Sequence, residues 1–400
     1  MKFDYIRSKS EFPTQSKPPQ RAQRGGIFWT LPFVLFATLC SVPLHGQSSC
    51  DCETFSRLIK KEYQVYPTVL VNISNKYGPV SVEGWAHNRI RVEALTEVEA
   101  EDEAAAAQVF DRIQTEMNIQ QRLVNIQTNI APVEQTWWPF PSLQTTDYSV
   151  SVRVFLPQPA AISLLNKHGS VTVKNITGNV SAEVLSGDVF GANLKGEMTL
   201  NQKDGALNLE QITRLNADLV NVEGSLTSGD WVKVRSRSAT LKFRNIGRLE
   251  SETRYDNYYV DGGGVFTNLG RYDEISLDRV REVQVRTSLS RLYVNQPRHT
   301  AIIEADSSRV RITGLPDQFQ TVKLEGRFTD FRLVLEPSVS CQLRATARHA
   351  GIRYPYTLRL IEEIETSDRH TVSGYFGQRQ SNTGRVEASL DYGGLTIEAD

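Results

Sequence analysis

The sequence predicts an all-β protein, a single-stranded β-solenoid of β-helix type with about 17–18 residues per coil, running on from a small N-terminal β-rich domain that contains one helix. Three observations predict it: short alternating strands punctuated by turn residues, glycine every nine residues in mid-chain, and apolar columns every seventeen residues after that. A coil of this kind buries its apolar row only by lying on its neighbour, so a fixed period across successive segments is the mark of stacking. Roughly ten coils at ~4.8 Å each make a rod about 50 Å long.

The 400 residues suffice for two or three domains and a continuous core. Lysine and arginine number 45 against 46 aspartates and glutamates, so the chain as a whole lacks the charge signature of a nucleic-acid binder, and no nucleic-acid partner is expected. Any basic surface must be local. The 26 glycines and 16 prolines fall short of a low-complexity composition, and the chain should fold.

A basic leader (Lys2, Arg7, Lys9, Lys17, Arg21 and Arg24) precedes an apolar run from Ile27 to Leu44, followed by Gly46, Gln47 and Ser48. That order reads as a secretory signal cleaved after Gly46. Pro32 and Pro43 break the run, which sits at the lower limit for spanning a bilayer, so an uncleaved N-terminal anchor competes with that reading. Residues 1–46 are therefore expected to be a signal peptide or membrane anchor. The remainder is expected at the cell surface or in the periplasm, touching membrane only through this segment if it stays uncleaved. Cys50 and Cys52 follow the leader. Whether Cys341 pairs with either is left open by the sequence, and the residues before Cys50 match a lipoprotein signal poorly.

The N-terminal domain is read over 47–160. Val69, Val71 and Ile73, then Val80 and Val82, then Ile90 and Val92 alternate with polar residues around a Lys76-Tyr77-Gly78 turn, giving short strands. From Glu99 to Met117 the period changes. Ala104, Ala107, Phe110 and Ile113 fall at helical spacing behind Glu101, Asp102 and Glu103, whose charge complements a helix N-terminus. Alternation returns over Met117 to Ile130 and Tyr148 to Leu156, either side of a loop containing Trp137, Trp138, Pro139 and Pro141.

Solenoid coils are expected over 161–338. Gly169, Gly178, Gly187, Gly196 and Gly205 each precede an apolar residue by two positions (Val171, Val180, Val189, Met198 and Leu207), and nine residues is about half a coil. Glycine is expected here as the turn residue free to adopt positive φ. A calcium-binding nonapeptide roll needs an aspartate column, whereas the sixth positions are Lys174, Glu183, Ala192, Asn201 and Glu210, which builds no cage. The seventeen-residue columns follow: Leu241, Tyr258, Ile275 and Leu292; Phe243, Val260, Leu277 and Val294; Leu249, Phe266 and Val283. Arg254-Tyr255-Asp256 recurs as Arg271-Tyr272-Asp273. Residues 339–400 keep alternating over Ser340 to Ala347, Tyr356 to Ile364, Val386 to Leu390 and Leu395 to Glu398, with a polar loop from Gly374 to Gly384. They are expected to cap the open end of the stack.

The recurring phrase is Lys76-Tyr77-Gly78-Pro79-Val80-Ser81-Val82, repeated as Lys167-His168-Gly169-Ser170-Val171-Thr172-Val173. Together with Gly84-Trp85 and the Ala-rich helix, it resembles the putative-adhesin family of bacterial extracytoplasmic β-solenoid proteins, long catalogued as a domain of unknown function, over roughly residues 65–400. The resemblance implies the fold and an extracytoplasmic place, and implies adhesion by family label alone. It carries no catalytic residues.

None of His45, His87, His168, His299, His349 and His370 lies at a zinc-ligand spacing, and no nucleophile elbow, Walker loop or dinucleotide fingerprint is present. No catalytic residue, cofactor or metal is expected. The best binding candidate is a basic stripe. Lys233, Arg235 and Arg237, then Lys242 and Arg244, alternate with apolar residues and are expected on one outward face. Arg237, Arg254 and Arg271 form one column, with Tyr255 and Tyr272 stacked beside it. Arginine with tyrosine suits an anionic glycan. Otherwise the stripe is a solvated face whose charge Asp256 and Asp273 relieve. The expected function is that of an exported, non-catalytic, adhesin-like structural or binding protein, its partner a polysaccharide or another cell-envelope protein. The alternative is a carbohydrate-active β-helix enzyme such as a polysaccharide lyase, which assembles its site from distant residues.

Overall fold

The computed structural model describes residues 53–132, 147–378 and 384–399. The leader, Cys50, Cys52 and the Trp137–Pro141 loop lie outside them. The protein is all-β, with strands joined in one continuous sheet and a single helix among the described residues. That helix is not long and apolar enough to cross a membrane.

At the N-terminal end the pairing is partly antiparallel. Strand Glu53–Gln64 lies against Arg89–Ala100, which lies against Tyr148–Pro157. Beyond this edge the strands run parallel. Leu70–Lys76 pairs with Ala161–Lys167, and Val80–Trp85 with Val171–Ile176, so pairing crosses residue 160 without a break. Ile162, Val180 and Met198 are then partners at offsets of eighteen. From Leu215 through Val232, Leu249, Phe266 and Val283 the offset is seventeen. The columns headed by Leu241 and Phe243 are pairing partners throughout. Each column is buried, and together they form one enclosed core from Val65 to Ile397.

The chain turns where single residues enter the left-handed φ region. One set comprises Tyr77, His168, Ser186, Asp204, Asn221, Ser238, Tyr255, Tyr272, Leu289 and Ser307; a second comprises Asn175, Asn193, Gln211, Asn245, Gly262, Arg279, Gln296 and Gly314. Within each set the residues follow the pairing offset, so each set is a column of corners.

The glycines expected to supply this conformation do not. Of the five spaced by nine, only Gly205 has positive φ. At the first four corners of the first set, Tyr77, His168, Ser186 and Asp204, glycine follows the left-handed residue, and close approach is what requires it. A Cβ on Gly169 would stand 2.0 Å from the Gly78 carbonyl oxygen, and one on Gly187 would stand 2.0 Å from that of Gly169. The glycines stack on one another's backbone.

The helix Glu103–Arg112 is shorter than its periodic stretch, because Ile113 already opens strand Ile113–Ile119. Asp102 caps it, accepting from the Ala105 N–H at 2.8 Å. Its buried face is Ala106, Val109 and Phe110 rather than the expected Ala104 and Ala107. The Arg57 guanidinium closes the other end, donating to the Phe110 and Ile113 carbonyls at 2.8 and 2.7 Å.

The C-terminal end departs from chain order. Strand Gly384–Ala399 inserts between Thr321–Leu335 and Cys341–Arg353, parallel to both. It runs unbroken through a corner at Tyr392, where two strands were expected. Strands Arg369–Phe376 and Arg359–Glu365 then add antiparallel as a hairpin. Cys341 is fully buried here, and burial pushes its thiol up to about 12.

Candidate functional site

The recurring Arg-Tyr-Asp tripeptide is a corner, and its three residues point three ways. Tyr255 and Tyr272 have φ of 60° and 63°. A bulky side chain is an outlier in that region. Hydrogen bonds from adjacent turns hold it there: the Tyr255 N–H reaches the Arg271 carbonyl at 3.2 Å, and the Tyr272 N–H the Ser288 carbonyl at 3.0 Å. The two rings stack outside, with centroids 4.8 Å apart and planes 8° apart. The Arg254 guanidinium lies 5.3 Å from the Tyr255 centroid, and that of Arg271 lies 4.8 Å from the Tyr272 centroid. Basic-aromatic corners recur at Lys76-Tyr77 and Arg327-Phe328, with His168 stacked on Tyr77 and His349 on Tyr392. The pairs Arg327-Phe328 and Arg348-His349 carry the same pattern in the sequence, but a longer insertion takes them out of the seventeen-residue register.

Asp256 and Asp273 point inward and are buried. They do not relieve the arginines; they bond backbone. The Ala239 N–H donates to Asp256 at 2.7 Å, the Asp256 N–H to Asp273 at 3.0 Å and the Asp273 N–H to Ser290 Oγ at 3.0 Å. Ser290 donates likewise to Ser308 Oγ and Ser308 to Thr329 Oγ1. The Ser236 and Thr253 hydroxyls each donate to the carboxylate above, at 2.7 Å. Burial nonetheless raises both carboxyls, Asp256 to about 6.

Arg237, Arg254 and Arg271 are pairing partners on the outward face. Arg235 is beside Glu252 and ion-paired with it at 3.2 Å, while Lys233 is beside Glu250, which takes Arg248 at 2.6 Å. Lys242 and Arg244 are not on this face. They follow the Ser238 corner and pair with Tyr259 and Asp261 in the next run of strands, because a corner reverses the chain between them and Arg237. The stripe is therefore narrower than its charge count along the sequence. Among the described residues, Lys233 and Arg237 have no ion-pair partner.

Among the described residues no cluster of three or more histidines, cysteines, aspartates and glutamates could hold a metal. An open hollow of about 520 Å³ toward the C-terminal end is bordered by Arg286, Arg327, Arg348 and Arg369, with Glu304, Glu325, Asp306 and Asp391 interleaved. Its charges largely cancel.

No protein-family model matches the chain, and no curated protein matches it. Among solved structures, it is similar to a putative adhesin from Parabacteroides merdae at 11% identity and a TM-score of 0.30, over 70% of this chain and 96% of that one. A putative cell adhesion protein from Clostridium sporogenes is similar at 9% identity and a TM-score of 0.19, over 86% of this chain and 100% of that one. A putative lipid binding protein from Parabacteroides distasonis is similar at 9% and 0.22, over 85% and 96%. Likenesses this weak carry no weight for fold or function.

Proposed function

We propose that the chain is an exported, non-catalytic, adhesin-like binding protein, built as a single-stranded β-solenoid, whose Arg-Tyr corner engages an anionic glycan through Arg237, Arg254, Tyr255, Arg271 and Tyr272, with Lys233 and Arg235 at its margin. The observation that carries this is the outward pair of stacked tyrosines, each under a guanidinium, at a position where tyrosine is conformationally disfavoured. Such a surface offers ring edges and phenol hydroxyls to a saccharide and fixed cations to carboxylates or sulfates. Pairing offsets of seventeen and eighteen and two corner columns support the solenoid reading. The basic leader and apolar run support export.

The test is binding of the mature protein to acidic and neutral glycans at two salt concentrations, with products assayed in the same reactions. Saturable, salt-sensitive binding that falls in Arg254→Glu/Arg271→Glu at unchanged melting temperature supports the reading. Depolymerisation of the glycan would overturn it in favour of a carbohydrate-active enzyme. Binding unchanged in the variant would return the corner to a solvated face.

A further inference from the structure

A hollow of about 600 Å³ lies on the outward face near the C-terminal end, walled by Tyr293, Arg309, Arg311, Arg332 and Arg353 and floored by Gly351 and Gly394. Pairing places Tyr293, Arg311, Arg332, Thr396 and Arg353 side by side in one row, and Arg309, Asp330, Gly394 and Gly351 in the next. Three features here work against stability. Arg311 and Arg332 are direct cross-strand neighbours, and like charges so placed repel. Arg332 is held by Glu398 at 2.7 Å, but among the described residues Arg309, Arg311 and Arg353 have no ion-pair partner. Gly351 and Gly394 are strand glycines with no packing reason: a Cβ on Gly351 would meet nothing within 4 Å, and one on Gly394 would come no closer than 3.7 Å to any atom. This is the reverse of Gly169 and Gly187. Neither has positive φ. Close approach by a ligand is one of the things a strand glycine marks when packing does not require it, a bend at a corner being another, and features that work against stability gather where function needs them.

We infer that this hollow is a binding site for a carboxylated saccharide, separate from the Arg-Tyr corner and independent of it. Guanidiniums take a carboxylate in two parallel hydrogen bonds. Asp330 and Glu398 accept from sugar hydroxyls, the Tyr293 ring covers a sugar C–H face, and the bare glycine backbone lets a ring lie flat. The two carboxylates disfavour a phosphate-dense polymer. The volume falls within the range of about 300–1,000 Å³ usual for small-ligand sites.

The experiment is calorimetric titration of the whole mature protein with trigalacturonate and with its methyl ester. The acid is expected to bind and the ester not. Gly351→Val and Gly394→Val should each weaken binding about tenfold or more while leaving the melting temperature unchanged or raised, since valine favours strands. Arg311→Glu and Arg353→Glu should weaken it equally and do not depend on how the valine variants fold. Tyr255→Gly/Tyr272→Gly, which takes away whatever the corner binds, should still leave about one acid bound per chain, at the hollow. Failure of the acid to bind, equal binding of the ester, or indifference to both the glycine and arginine variants overturns the inference. Loss of binding in the tyrosine variant alone overturns it too, while leaving the corner reading standing.

Discussion

One column of corners is built in two ways along its length. In the first half the residue after each left-handed turn is glycine (Gly78, Gly169, Gly187 and Gly205), and at three of these four turns an amide two residues earlier fills the inside, with Val184 in its place at the Ser186 turn. Asn75 and Asn166 donate to the Gly78 carbonyl at 3.2 Å, and Gln202 donates to that of Gly187 at 3.0 Å. In the second half the same position carries Ala239, Asp256, Asp273, Ser290, Ser308 and Thr329, and side chain meets N–H one turn below. The first half satisfies carbonyls with side-chain donors; the second satisfies N–H groups with side-chain acceptors. Backbone conformation at a corner is thus fixed by stacking, and the residue chemistry is free to vary provided the polar groups are met.

The sharpest way to break this comparison is to exchange the solutions. Gly187→Ala places a Cβ against the Gly169 carbonyl and is expected to cost about 3 kcal/mol, the upper range for overpacking, read as a fall in the denaturant midpoint. Ala239→Gly, at the equivalent corner position, should cost under about 1 kcal/mol. Next in size, Asp273→Ala strips the Asp256 N–H and the Thr253 hydroxyl of their buried acceptor, at about 2 kcal/mol. Ser290→Ala, which strands the Asp273 N–H alone, should cost about 1 kcal/mol in the same assay.

A pH scan separates the halves, since the first has only glycines where the second has carboxylates. Asp256 titrates at about 6 when folded against an ordinary 3.8, so the folded state holds the proton more tightly across that window. Stability should therefore fall as pH rises from about 4 through 6, with the protein melting higher at pH 5 than at pH 7. Asp256→Asn should flatten that difference. The smallest expected effect is at Tyr272. Replacing it with glycine relieves left-handed strain of about 1–2 kcal/mol and forfeits ring stacking of about 0.5–1.5 kcal/mol, so the melting temperature should barely move. A large loss would mean the rings serve folding rather than recognition.

The apolar columns were legible because a strand's partner lay a constant distance along the chain: Leu241, Tyr258 and Ile275 announce their pairing by spacing alone. The spacing of glycine was legible too, but its reason was not, because Gly187 is dictated by a carbonyl eighteen residues away rather than by its own φ. Alternation also does not say where a corner falls, so by spacing alone Lys242 and Arg244 share a face with Arg237, and the Ser238 corner separates them. The hollow floored by Gly351 and Gly394 was invisible because its walls come from strands brought together out of chain order.

That reordering bears on how the protein is made. Cys341–Arg353 and its hairpin connect to the preceding strands through Gly384–Ala399, so the stack cannot close in order of synthesis. A chain emerging from the N-terminus can zip strand upon strand as far as Thr321–Leu335 and must then wait, its growing edge bare, until the sixteen-residue strand Gly384–Ala399 arrives to act as the keystone. A nonsense codon just before Gly384 would do far more than shorten the chain: it would leave the hairpin hinged open and the bare edge ready to pair with a neighbouring chain.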